Sequence, residues 1–91
     1  LLVTLEEAKL YLKVDEDTDD ALIASCIDSA KELCEDILRF PLTEFTEIPE
    51  TVKQAALYAI GNLYEQRETL DMKAMIELMT RLLFAYRKEG W

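Results

Sequence analysis

A wide apolar stripe on the segment Pro49 to Glu68, PETVKQAALYAIGNLYEQRE, constrains the fold more than any other feature of the chain. At 100° per residue Val52, Ala55, Ala56, Ala59, Ile60 and Leu63 share one helical face, and Leu57 and Tyr64 widen it on one side. An arc this wide needs more than one neighbouring helix to cover it. The alanines leave little bulk, so a neighbour can pack unusually close. Pro49 suits the first helical turn, because its fixed φ is already helical and its missing N–H would have had no partner there. Glu50 favours the positive end of the helix dipole. Gly61 lies roughly opposite the stripe, where it weakens the helix by about 1 kcal/mol relative to alanine. It reads either as a tolerated surface glycine or as a point of close approach by another chain.

The natural antiparallel partner is a helix from about Asp19 to Arg39, in which Leu22, Ile23, Cys26, Ile27, Ala30, Leu33, Cys34, Ile37 and Leu38 form one arc. Pro41 ends it by disfavouring helical geometry at the residue before it. Two shorter helices complete the set. Thr4 and Glu7 are spaced as a capping box for a helix from Leu5 to about Val14, whose Leu5, Ala8 and Leu12 share a face and lie as a brace across the long helices. From about Asp71 to Lys88, the residues Met72, Met75, Ile76, Met79, Leu82, Leu83 and Tyr86 form a last stripe. Phe84 falls off that stripe and Trp91 lies beyond the helix; such aromatics are either harmless or anchors for a partner. The segment PLTEFTEI, Pro41 to Ile48, reads as a loop that could hold a short extended piece. Ninety-one residues make a single domain spanning 1–91, and with two glycines, two prolines and 51% hydrophobic residues the class is all-α, a small bundle of about four helices with two long antiparallel ones.

A net charge of -9, with 19 acidic against 10 basic residues, argues against tight binding of DNA or RNA. An acidic wall past which DNA must slide is nonetheless better repulsive than sticky. Cys26 and Cys34 lie about 12 Å apart along one helix, too far for a mutual disulfide, and as buried thiols they fit a reducing cytoplasm. No stretch approaches a membrane span, and no basic segment followed by an apolar run marks a signal peptide. The chain begins without methionine, consistent with a trimmed start.

Little here can do chemistry. The alternate aspartates Asp15, Asp17 and Asp19 resemble the start of an EF-hand calcium loop, but Asp20 stands where the sharp turn needs glycine and Cys26 where the bidentate glutamate belongs. The run is expected to cap the following helix instead. There is no histidine, no closely spaced cysteine pair, no glycine-rich phosphate loop and no nucleophile beside a base, so no catalytic residue, metal or cofactor is expected. Arg67 projects near the apolar side of the central helix's last turn. It either bonds that helix's carbonyls or an acid of its own subunit, or pairs across a subunit boundary.

Taken together, TLEEAKLYLKVDEDTDDALIASCIDSAKELCED at Thr4 to Asp36, IPETVKQAALYAIGNLYEQRE at Ile48 to Glu68 and the terminal LLFAYRKEGW resemble the gp6-like phage head-tail connector family, also described as DNA-packaging proteins of tailed phages and prophages. The resemblance implies a structural adaptor, not an enzyme, that forms a dodecamer-like ring below the portal, extends the DNA channel and supports tail attachment after packaging. The implied partners are further copies of itself, the portal protein and later connector or tail proteins, with DNA passing unbound and no membrane involved. The implied locations are the host bacterial cytoplasm during assembly and the virion head-tail junction. Tyr64, Arg67 and Glu68 match the family's central motif and Tyr86 and Arg87 its C-terminal end; with Phe84 and Trp91 they form the expected interface set. The family commonly carries a variable, often proline-containing loop between Glu68 and Leu82, whereas Met72 to Thr80 here reads as continuous helix. Either the last helix is longer, or that segment rearranges on assembly. The alternative is a small intracellular regulatory module that binds a partner helix in a groove lined by Met72, Met75 and Met79.

Overall fold

The stripes resolve into four α-helices in the computed structural model, which describes residues 2–66 and 68–88. These are α1 (Leu5–Leu12), α2 (Asp20–Leu38), α3 (Glu50–Glu65) and α4 (Met72–Leu83), with short 3₁₀ turns at Leu42–Glu44 and Phe84–Tyr86 and no strand among the described residues. The all-α bundle expected from the sequence is the observed fold.

Helices α2 and α3 form the central pair. They run antiparallel, because the turn around Leu42 joins one pair of ends while Tyr64, in the last turn of α3, donates its hydroxyl to Asp19 Oδ2 at the start of α2, 2.6 Å away. Small side chains permit the pairing: Ala30 on α2 and Ala55, Ala56 and Ala59 on α3 are all fully buried. Ile23, Leu38, Val52 and Ile60 are buried with them, and α4 closes the core with Met75, Met79 and Leu83. Burial of each large side chain of this kind contributes roughly 1.5–3 kcal/mol. Helix α1 packs on both α2 and α3 as a brace through Ala8, with Leu5 and Leu12 against the core. Its capping box is complete: Glu7 N–H donates to Thr4 Oγ1 at 3.0 Å, and Thr4 N–H donates to Glu7 Oε1 at 2.9 Å.

The helix ends differ from expectation for identifiable reasons. Pro49 precedes α3 rather than opening it: its ψ of 147° is extended, and its carbonyl accepts from the Val52 and Lys53 N–H groups at 3.0 and 3.2 Å. Helix α3 stops at Glu65, short of Glu68. Helix α4 is continuous from Met72 to Leu83, as its stripe implied, but tightens into a 3₁₀ turn instead of reaching Lys88. The chain there is drawn across to α2, where Lys88 N–H donates to the Leu38 carbonyl at 2.9 Å. The Pro41–Ile48 connection contains a 3₁₀ turn and no extended strand; Leu42 is buried, and its N–H donates to Glu35 Oε2 at 2.8 Å. Phe40, Phe45 and Tyr86 stack edge-on in series, with centroid separations of 5.2 and 6.2 Å, tying this connection to the C-terminal turn.

Gly61 is neither a surface glycine nor, within the described residues, a site for another chain. It is buried, and a Cβ there would stand 3.3 Å from Cε2 of Tyr11 on α1. The ring fills the space a side chain would take.

Two left-handed residues end helices without glycine: Lys13 after α1 (φ 60°) and Arg39 after α2 (φ 69°). An L side chain in that region is strained by about 1 kcal/mol or more. Lys13→Gly is expected to raise the unfolding free energy by roughly 0.5–1 kcal/mol, part of the relief being offset by the freer unfolded chain. A urea midpoint that stays put or falls would show that Lys13 makes a compensating contact.

Candidate functional site

The expected interface residues occupy two regions rather than one. Tyr64 and Glu68 lie near the start of α2, whereas Tyr86 and Arg87 lie near its end, where Tyr86 meets Phe45 and Arg87 borders a groove with Ile37 and Ile76. Nineteen residues of α2 separate the two regions by about 28 Å. Arg67 and Trp91 lie outside the described residues. Tyr64 is half-buried, and its hydroxyl joins α3 to α2, so its position serves the subunit's own fold. Glu68 is exposed beside a polar depression bordered by Tyr64, Glu65, Gln66 and Thr69.

Among the described residues Phe84 is the largest apolar group presented to solvent near the C-terminal end, 64% exposed, with Tyr86, Leu78 and Met72 also exposed. Ala74, Leu78 and Arg81 lie on one exposed stripe of α4 that Phe84 continues. A second exposed pair was not anticipated. Leu10 is 82% exposed and Tyr11 partly so. The signal was present in the sequence, since both fall off the Leu5–Ala8–Leu12 stripe, where a solvated helix should carry polar residues. A methionine-lined groove is not present: Met75 and Met79 are fully buried core residues and only Met72 is exposed. The partner-helix alternative therefore loses the surface it needed.

Ion pairs organise the acidic turn after α1. Lys9 Nζ lies 2.8 Å from both Asp17 Oδ1 and Asp20 Oδ1, the second contact being an ion pair outside hydrogen-bond geometry, and Lys53 Nζ lies 2.8 Å from Glu7 Oε2. An ammonium thus sits among the aspartates that resembled a calcium loop. The hydrogen bond from Lys9 holds the Asp17 carboxyl below its ordinary value of 3.8, and that from Lys53, with the Thr4 N–H, holds Glu7 below 4.5. The two lysines are correspondingly raised by those carboxylates. Depressed carboxyls stabilise the folded state above their unfolded values, and that contribution fades as pH falls through the folded ones. Lys53→Met is therefore expected to lower stability slightly near neutrality and to leave it almost unchanged at pH 3, so that the acid limb of stability against pH flattens below about 4.5. Chemical denaturation at pH 3 to 7 checks this; an unchanged acid limb would assign it to other carboxylates.

Among the described residues of these regions no side chains take the arrangement of a reaction centre. Cys34 is fully buried, and its thiol is pushed up to about 12 by that burial, with the neighbouring Glu35 charge adding to it. It packs as a small apolar group. What the surfaces offer is contact: exposed aromatics and aliphatics beside charge on a rigid helical frame.

No curated protein and no solved structure is significantly similar to the chain. One family model, described as phage gp6-like head-tail connector protein, matches residues 2–88.

Proposed function

The chain belongs to the phage gp6-like head-tail connector family, and from that premise we propose that it is the subunit of a ring that docks below the portal of a filled phage head, extends the DNA channel and receives the later connector or tail proteins. The observation that carries this reading is the extent of the family match, residues 2–88 of 91, which takes in all four helices and both exposed regions. A structural role fits the absence of a reactive constellation among the described residues and the presence of exposed apolar groups at both ends of the chain. The mechanism is geometric. Subunits pack side to side, and acidic side chains facing the channel repel the DNA backbone so that the duplex moves without sticking. Net charge of -9 supports this division of labour.

Native mass spectrometry over a concentration and salt series, together with addition of the protein to DNA-filled, tailless heads, tests the proposal. A closed ring in solution, expected to be twelve-fold, or stoichiometric docking on the heads supports it. A protein that stays monomeric and leaves the heads bare overturns it.

A further inference from the structure

Two exposed apolar patches carry opposite charge. Residues 6–20 hold seven acids against two lysines, whereas residues 72–88 hold four cations against one acid. Within the subunit Lys9 is engaged by Asp17 and Asp20 and Lys53 by Glu7, which leaves Asp15 and Glu16 exposed with no ion pair among the described residues; Asp15 borders the surface of Leu10 together with Glu6 and the exposed Lys13, so the patch keeps an acidic excess. On the other patch Arg81 and Lys88 are exposed near Phe84 and Tyr86 and likewise have no carboxylate partner among the described residues. Both α1 and α4 pack on the central α2–α3 pair, so one rigid frame presents both patches.

A two-fold contact centred on either patch would set it against its own copy, acid on acid or cation on cation, and a reciprocal two-fold pairing of unlike patches would close as a dimer and leave nothing to build a ring. A contact between unlike patches satisfies both charge and apolar burial. Building on the ring reading above, we propose that the α1 patch of one copy, Leu10 and Tyr11 flanked by Asp15 and Glu16, docks on the α4 patch of the next, Phe84 and Tyr86 flanked by Arg81 and Lys88. A bound pair keeps one patch of each kind free, so the contact propagates head to tail and closes when the rotation per subunit fits the circle.

Differently tagged Leu10→Cys and Phe84→Cys variants, mixed with a short bismaleimide, test the pairing; Cys26 and Cys34 are buried, and the wild type controls for their reaction. Unlike variants are expected to couple at least tenfold more than either variant with itself. A charge-reversed D15K/E16K protein should fail to assemble and recover on mixing with R81E/K88E. Circular dichroism confirms that each variant is folded. Coupling of like with like, coupling of Phe84→Cys to a head protein in place of a second copy, or absence of coupling in samples that form rings overturns the pairing while leaving the ring reading intact. Absence of rings on heads and in solution overturns both.

Discussion

Shortening Leu38 to alanine is expected to lower the unfolding free energy by about 2–5 kcal/mol, a large share of the roughly 5–15 kcal/mol available to a domain of this size. Leu38 is fully buried at the end of α2. Its carbonyl also receives the Lys88 N–H, so neighbouring backbone is held from both sides and collapses poorly into the void. Urea denaturation should show a lower midpoint with an unchanged slope. A loss below about 1 kcal/mol would mean that neighbouring side chains fill the space.

Ala59→Leu tests the opposite error. Ala59 is fully buried on α3 and belongs to the alanine-lined face. Three added carbons have nowhere to go unless the close-packed neighbours separate, and the expected cost is about 1–3 kcal/mol or more. Ala74→Leu is the control. Ala74 sits exposed on α4, so the same enlargement there should be nearly neutral. Equal effects at the two positions would refute the account of α3 as a surface that works by being small.

The long helices were legible because their apolar residues recur at helical spacing over many turns, a signal no loop imitates. The capping box at Thr4 was legible for a local reason, since both partners lie within one turn. What escaped depended on distant residues. PLTEFTEI has no period, and its 3₁₀ turn is fixed by Glu35 and by aromatic contacts with Phe40 and Tyr86. The early end of α4 depends on an attachment to Leu38, fifty residues earlier. Gly61 was misplaced because helical phase puts it opposite the stripe, while α1 covers that side and buries it beneath Tyr11. For the surfaces, Phe84 stood out by falling off its stripe, and Leu10 and Tyr11 carried the same mark. Tyr64 matched a family motif, yet its partner in the structure is Asp19 of the same chain, a contact that spacing alone could not reveal.

The Tyr11 ring against Gly61 also makes an intrinsic reporter. An aromatic ring alters the magnetic field at nuclei a few ångströms away, and with Cε2 lying 3.3 Å from where a Cβ would sit, one α-proton of Gly61 points at it. The two α-protons of Gly61 should therefore resonate well apart, and their separation should shrink whenever α1 lifts from α3. Detachment of a single eight-residue helix could then be followed on its own, at one glycine, while the rest of the bundle stays folded.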